Sequence, residues 1–200
     1  MDIVTAIENR RSVKQFDPNH RMTLEEEERL LQLTMLSPTA FNIQHWRFVV
    51  VRDPALRQSL RRISWNQSQV TDASLLVIVC ADLGAWHKDP ARYWRHAPQG
   101  VREFLLPAMR RCYEGNAQMQ RDEGLRSCGI AAQSLMLAAQ GMGYDSCPMT
   151  GFDFDAVGRE INLPADHLLA LFVAIGKPLR PANIRSGQLS LEEVRVVDRF

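Results

Sequence analysis

The hydrophobic and polar positions of the chain follow a helical period in some stretches and form short apolar runs in others. Residues 23–26 (Thr-Leu-Glu-Glu) read as a capping box, in which a threonine and a glutamate satisfy the first backbone groups of a helix. The apolar residues that follow at close to helical spacing are Leu30, Leu31, Leu33 and Leu36. We therefore predict a helix that ends at Ser37-Pro38, because the residue before a proline disfavours helical backbone.

Apolar runs of strand length, separated by helical segments, predict the core of a sheet. The predicted strands are 47–51, 74–81 and 168–175, and further helices are predicted at 2–9, from Asp53-Pro54 onward, at 99–114 with a kink at Pro107, and at 155–162. Strands separated by helices indicate an α/β or α+β sheet between layers of helices.

Segment 122–141 predicts the strongest helix, and Gly141 and Gly143 predict its end. Its surface is almost wholly apolar and rich in small residues, so we expect it to be buried, either in a large core or between subunits. The C-terminal tail contains a short predicted helix at 191–194 and ends in the strand-like stretch 194–197. That last stretch has no obvious place in the predicted sheet.

Composition and charge limit the number of domains and exclude several classes of partner. Two hundred residues, 46% of them hydrophobic and 24% charged, suit one globular domain spanning residues 1–200. A formal net charge of +1 gives no reason to expect nucleic acid or a membrane surface as partner, and no apolar run has the length of a membrane span. The first ten residues show no signal peptide, which predicts a cytoplasmic protein.

Cysteines, histidines and a cluster of arginines are interpreted as ordinary structure. The four cysteines and five histidines show neither CxxC nor metal-ligand spacing, so we expect reduced thiols and no metal site. Cys147 is interpreted as a buried structural thiol because no cationic residue is near it in sequence. Arg57, Arg61 and Arg62 are interpreted as a solvated helix face.

Three short segments carry the candidate chemistry. Residues 37–46 place a hydroxyl and two amides among small and aromatic residues, which suits a flat, partly polar ring. Residues 10–14 (Arg-Arg-Ser-Val-Lys) offer guanidinium groups and a hydroxyl that suit a phosphate, although a solvated basic turn fits them as well. In residues 147–153, Gly151 permits close approach of the backbone to a ligand.

Together these segments resemble the FMN-dependent nitroreductase family, and the match runs in order from Met1 to about Lys177. The resemblance is strongest to the NAD(P)H-dependent nitro and quinone reductases. It implies an α+β fold with a central mixed, mainly antiparallel sheet flanked by helices. It also implies a homodimer in which a C-terminal extension, residues 179–200, carries a strand onto the sheet of the partner subunit.

The resemblance further implies an FMN site at the subunit interface. The residues matching its phosphate site are Arg10, Arg11, Ser12 and Arg185, with Lys177 as a second candidate from the end of the last strand. Lys14 matches the basic residue near flavin N1 and O2, where a positive charge favours the reduced flavin.

Contacts to the flavin ring are implied for the two other segments and for a pair of amides. The matching residues are Pro38, Thr39, Ala40, Asn42 and Gln44 from the other chain, and Pro148, Met149, Thr150 and Gly151 along one face of the ring. Asn66 and Gln69 lie three residues apart and could pair with the pyrimidine edge, while a plain polar loop explains them equally well.

The implied function is ping-pong transfer of hydride from NADH or NADPH, through flavin N5, to a nitroaromatic, a quinone or a similar electron-poor aromatic. No side chain is expected to be an obligatory acid or base. Two alternatives stay open: a flavin storage or sensing protein, and a dehalogenase or other reaction on the same fold. The aromatic segment 84–98 either lines the substrate pocket or packs on the core.

Overall fold

A single antiparallel sheet forms the centre of the protein in a computed structural model that describes all 200 residues. Its strands are β1 (Trp46–Val50), β2 (Leu75–Asp82), β3 (Asp145–Met149) and β4 (His167–Gly176). The α-helices are α1 (Ile3–Asn9), α2 (Leu24–Thr34), α3 (Pro54–Ile63), α4 (Gln69–Asp72), α5 (Gln99–Tyr113), α6 (Ala117–Gly141), α7 (Phe154–Glu160) and α8 (Leu191–Val194). Single 3-10 turns occupy Ala40–Asn42 and Pro90–Trp94. None of the helices combines the length and the apolar character that crossing a bilayer requires.

The strand order is β1-β2-β4-β3, so β1 and β3 are the two edges of the sheet. All three strand pairs are antiparallel, and the predicted α+β class is confirmed. The sheet was expected to mix parallel and antiparallel pairing. The parallel contact observed is one isolated bridge between Ser12 and Ser146, where the N-terminal segment meets β3. Every residue of β2 is buried, as a continuous apolar run predicts for a central strand.

Helices cover both faces of the sheet. On one face, α3, α4 and α7 pack Leu60, Val70 and Val157 into a core cluster with Phe172 of β4. On the other face, α2 and α6 bury a second cluster whose members include Leu30, Cys128, Ala131 and Leu135. The capping box of α2 is formed as predicted, because the Thr23 hydroxyl accepts from the backbone of Glu26 and the Glu26 carboxylate accepts from the backbone of Thr23.

Helix α6 begins at Ala117, earlier than the predicted start at Asp122. The cause is Asn116, whose side-chain oxygen accepts from the backbone N–H of Met119 at 3.0 Å and caps the helix. Only one face of α6 is buried within the chain. Ile130, on the opposite face, is 39% exposed beside Gly129, so this apolar surface is available to a partner.

Strand β3 is not among the strands that the sequence predicts, and it contains Pro148. Proline lacks the N–H that an interior strand needs on both sides, and it is tolerated on edge strands. Within the sheet β3 pairs with β4 alone, from Asp145 opposite Gly176 to Met149 opposite Phe172, and Pro148 has no ladder partner on its other side, so the proline costs little here.

The structure corrects two other expectations. The stretch 194–197 forms no strand in the single chain, and its valines are exposed after α8; its transfer to a partner stays a prediction. Of the three arginines of α3, only Arg62 is exposed as a solvated face requires. Arg57 is half-buried and donates to the carbonyl oxygens of Val51 and Ala73, and Arg61 bonds to Asn66, so these side chains fasten loops to the helix.

Candidate functional site

The free edge of β3 brings together two of the three segments singled out in the sequence. The backbone N–H of Val13 donates to the carbonyl of Ser146 at 3.1 Å, which lays residues 10–14 along the start of the strand. Past the other end of β3, Thr150 and Gly151 continue in the same direction and meet the loop that follows α3.

Two guanidinium groups gather where α1 ends, on the backbone of Glu8 and Arg10. Arg185 reaches back from the C-terminal tail and donates to the carbonyl oxygens of Glu8 and Arg10 at 3.1 and 3.2 Å. Arg11 donates to the same two carbonyls at 2.7 and 3.2 Å. Arg10 is half-buried, and its Nη1 is buried without a hydrogen-bond partner. Ser12 is exposed beside them, so the cluster presents several donors and no paired carboxylate to an anion.

Lys14 is exposed and its Nζ lies 3.4 Å from Sγ of Cys147. Cys147 is fully buried, as expected. No cationic residue is near it in sequence, but the fold brings the Lys14 ammonium from the N-terminal segment to its sulfur. Lys177 lies elsewhere: its ammonium bonds to the carbonyl of Gly143 and sits 4.1 Å above the Tyr144 ring. The structure therefore gathers Arg185, and not Lys177, with the arginines at the end of α1.

A chain of amides connects the loop after α3 to Gly151. Gln69 is buried and donates to Oε1 of Gln67 at 3.2 Å, and Gln67 donates to the carbonyl of Gly151 at 3.0 Å. A Cβ at Gly151 would lie 2.7 Å from the ring of Trp65, which is itself 77% exposed. Only the absence of a side chain at Gly151 lets this loop approach the strand so closely.

Asn66 does not pair with Gln69 on one face. Its φ is +54°, and its side-chain oxygen accepts from Nε of Arg61 at 2.9 Å. Gln67 and Trp65 are the residues that sequence reasoning missed. The only sequence signal for Gln67 is that it lies among three amide side chains. A helical turn would place its neighbours Asn66 and Gln69 on one face, and the prediction therefore named those two.

The remaining segment, 38–44, lies before β1 and forms a tight loop. The Thr39 hydroxyl accepts from the backbone N–H of Gln44 at 3.0 Å, and the Asn42 side chain donates to the carbonyl of Tyr93 at 2.8 Å. Pro38 and Ala40 flank this arrangement, and Ala40 starts the 3-10 turn. The loop is held against the body by Phe41, whose ring meets Tyr113 of α5 edge-on at 6.2 Å.

This loop is far from the β3 edge of the same chain. Trp46 at the start of β1 is level with Leu168 of β4, whereas Cys147 of β3 is level with Ala174. Three strand spacings amount to about 14 Å across the sheet, and six residues amount to about 20 Å along it. The separation of roughly 24 Å is too large for one flavin ring to touch both groups within one chain.

Strained backbone is concentrated in the two candidate loops. Non-glycine residues with positive φ include Phe41, Asn42 and Gln44 in one loop and Trp65 and Asn66 in the other, with φ between 52° and 55°. Such conformations cost about 1–3 kcal/mol each and are common where a loop must present groups to a ligand.

Two buried titratable side chains next to loop 38–44, His45 and Tyr113, are uncharged at neutral pH. Burial lowers the pKa of His45 to about 4, with the nearby Asp82 opposing the shift and Arg47 reinforcing it. The ring of His45 is fully buried and its Nδ1 lies 3.1 Å from the Ser127 hydroxyl. Burial likewise raises the pKa of Tyr113 to about 12. Both groups stay neutral at pH 7; that the chemistry needs no acid or base from the protein stays a prediction.

Segment 84–98 both packs on the core and lines a pocket. Trp86 stacks near Tyr113 at 6.2 Å, and the Tyr93 hydroxyl donates to the carbonyl of Ala85 at 3.1 Å. Trp86 also faces a cavity of about 700 Å³ that is closed on its other side by α5 around Pro107. The packing of this segment on the core is therefore observed, while its role in lining a substrate pocket stays a prediction.

Buried Asp82 anchors the start of this segment through an ion-pair network. It accepts from Arg47 and from Lys88 at 2.8 Å, and Lys88 also donates to Asp166 at 2.6 Å. The Lys88 and His167 hydrogen bonds lower the pKa of Asp166 to about 2. Asp82, Asp166 and His167 lie close enough to suggest a metal site, but the Lys88 ammonium already occupies the place of a cation there.

Comparison with known proteins adds independent information. A family model described as the nitroreductase family matches residues 7–177. Protein DrgA of Synechocystis is 56% identical over 177 residues, covering 88% of this chain and 84% of DrgA. The Bacillus subtilis protein named "Putative NAD(P)H nitroreductase YodC" is 31% identical over 199 residues, covering 97% of this chain and 96% of its own.

Solved structures agree on the fold. A "putative nitroreductase in complex with FMN" from Exiguobacterium sibiricum superimposes with a TM-score of 0.90 at 28% identity, covering 99% of this chain and 98% of that one. A "putative nitroreductase ydfN" from Bacillus subtilis gives a TM-score of 0.89 at 27% identity, with 97% of both chains covered.

Proposed function

This chain belongs to the nitroreductase family, and we propose that it is an FMN-dependent oxidoreductase that takes electrons from NADH or NADPH and reduces electron-poor aromatics. Nitroaromatics and quinones are the substrate classes in view. One observation carries the proposal: the free edge of β3 gathers a cluster of anion-binding donors, an exposed lysine and a glycine-lined amide chain within a single stretch of surface.

The residues present fit FMN. The buried Nη1 of Arg10 lacks an acceptor, and an oxygen of a phosphate is the acceptor that it needs. Ser12 adds a neutral donor, and Arg185 brings a second guanidinium to the same place. Arg11 completes the positive field, although its own donors are engaged with backbone carbonyls.

The ring of FMN would lie along β3 toward Gly151. Gln69 and Gln67 hold each other and Gly151 in place, so their remaining amide groups are preorganised for a ring with donors and acceptors along its edge. Lys14 would place its positive charge beside this ring, which stabilises negative charge there. When bound, FMN supplies the redox chemistry by accepting a hydride from reduced nicotinamide and passing it to the aromatic substrate.

The second half of the site is proposed to come from another copy of the chain. Loop 38–44 carries ring-binding chemistry but lies roughly 24 Å from the β3 edge of its own chain. A homodimer would bring the loop of one subunit over the β3 edge of the other. The exposed apolar face of α6, around Ile130, and the uncovered tail 179–200 are the surfaces that such a dimer would bury.

Anaerobic mixing of the FMN-loaded protein with NADH or NADPH tests the function. Loss of the flavin absorbance band, and its return when menadione or nitrobenzoate is added, is the expected result. Free FMN at the same concentration is the control. If the protein binds FMN but neither nicotinamide bleaches it, the protein is a flavin-binding module and the reductase proposal fails.

A further inference from the structure

A pocket beside loop 38–44 contains two arginines and a histidine and no carboxylate. Its volume is about 320 Å³. The residues that line it are Asn42, Gln44, Arg92, Tyr93, Trp94, Arg95, His96 and Ala97, and we refer to it as the basic pocket. Its size is at the lower end of the range for small-molecule sites, which suits part of a larger ligand.

The basic pocket is fastened to the loop proposed to bind the flavin ring. Asn42 donates to the carbonyl of Tyr93 at 2.8 Å, and the hydroxyl of Tyr93 in turn donates to the carbonyl of Ala85. Gln44 lines the same pocket and bonds weakly back to Asn42. A ligand in the basic pocket would therefore adjoin whatever the loop binds.

Four side chains of the basic pocket carry donors that are paired with no carboxylate. Arg92 donates to the Tyr93 hydroxyl at 2.8 Å and lies over its ring. Arg95 and His96 are exposed and take part in none of the ion pairs of the chain. The indole N–H of Trp94 is buried without an acceptor. Several donors around one cavity suit a group with several charged oxygens, which is the chemistry of a phosphate.

We propose that the basic pocket binds the adenosine 2′-phosphate of NADPH and makes the enzyme prefer NADPH to NADH. The inference rests on the proposed function, because a nicotinamide donor must bind next to the flavin loop. NADH carries a 2′-hydroxyl at this position, and sites selective for NADH offer a carboxylate to that hydroxyl, whereas sites selective for NADPH offer arginine. The basic pocket has the second composition.

The kinetic test compares NADPH, NADH and reduced nicotinamide mononucleotide as donors to the FMN-loaded protein. The wild-type protein should show a kcat/KM about tenfold or more higher with NADPH than with NADH, mainly through KM, as expected for a charge-assisted contact at an exposed site. Arg95→Gln should remove most of this preference. Arg159→Gln removes an equal charge from an exposed position on α7 that does not line the pocket, and this variant should keep the preference.

A binding test does not depend on turnover. Adenosine 2′,5′-bisphosphate should bind the FMN-loaded wild-type protein more tightly than AMP in a calorimetric titration, and Arg95→Gln should abolish the difference. Equal kcat/KM for NADPH and NADH in the wild type, or an unchanged preference in Arg95→Gln, overturns the inference while leaving the reductase intact. Failure of all three donors, including the mononucleotide, would instead overturn the proposed function and this inference with it.

Discussion

Arg10→Ala is the most informative single change, because it should move FMN affinity and FMN-free stability in opposite directions. In the structure Nη1 of Arg10 is buried with no acceptor, and the guanidiniums of Arg11 and Arg185 crowd the same carbonyls. Removing a buried unsatisfied donor from a cationic cluster relieves a cost of about 1–3 kcal/mol in the FMN-free protein.

The Nη1 group of Arg10 stabilises the complex when a phosphate occupies the cluster, because the phosphate oxygen accepts its hydrogen bond. A hydrogen bond between charged groups contributes about 1.5–3 kcal/mol. Arg10→Ala should therefore raise the FMN dissociation constant by about 10- to 150-fold. Riboflavin has the same ring and no phosphate, so its dissociation constant should barely change.

Fluorescence quenching titrations measure the dissociation constants of FMN and riboflavin, and thermal melting of the FMN-free protein measures its stability. The melting temperature of FMN-free Arg10→Ala should be unchanged or higher by a few degrees, since about 1 kcal/mol shifts a domain of this size by about 2–4 °C. Arg159→Ala, a matched loss of charge on α7, should alter nothing. Equal weakening of FMN and riboflavin, or a clearly lower melting temperature without FMN, would show that Arg10 is a structural residue and refute the reasoning.

Three further predictions follow from the site and the dimer. Lys14→Met should lower the flavin midpoint potential by some tens of millivolts, about 30 mV for each 1.4 kcal/mol, at full FMN occupancy; an unchanged potential in a potentiometric titration would place Lys14 away from the ring. Light scattering should give twice the chain mass of 22.8 kDa, and Ile130→Glu on the exposed face of α6 should give monomers that lose FMN; a monomeric FMN-loaded wild type would contradict the shared site. Stability should fall between pH 6.5 and pH 4, because His45 has a folded pKa of about 4 and the unfolded chain therefore takes up the proton first. The stability that neutral His45 contributes is fully present above pH 6.5, and its loss grows no further below pH 4. Denaturant unfolding of His45→Gln should show a smaller loss over that interval, and an identical loss would mean that another group is responsible.

Sequence-based prediction succeeded where neighbouring residues alone determine the local structure. The capping box at Thr23 and the apolar run of β2 specify their structures through neighbouring residues, and both are confirmed. The strand around Pro148 could not be recognised, because what permits a proline there is its position at the sheet edge. Gln67 was not predicted because the preceding residues, Trp65 and Asn66, have left-handed backbone. That conformation depends on tertiary contacts and not on the local sequence.

Contacts between residues that are distant in sequence could not be predicted, because they too depend on the tertiary structure. Lys14 and Cys147 are separated by 133 positions, and only the docking of the N-terminal segment on β3 joins them. Arg185 was proposed from resemblance alone, and nothing in its local sequence shows that it reaches the carbonyl of Arg10.

The placement of the two candidate loops at opposite edges of one sheet has a genetic consequence. In the proposed dimer each site combines the β3 edge of one gene product with loop 38–44 of the other. A chain carrying Arg10→Ala and a chain carrying a defect at Asn42, each inactive by itself, would form mixed dimers. Such a dimer concentrates both lesions in one site and leaves the second site wholly wild type. Two non-functional alleles in one cell would then restore part of the activity to each other, because every mixed dimer contains one intact site.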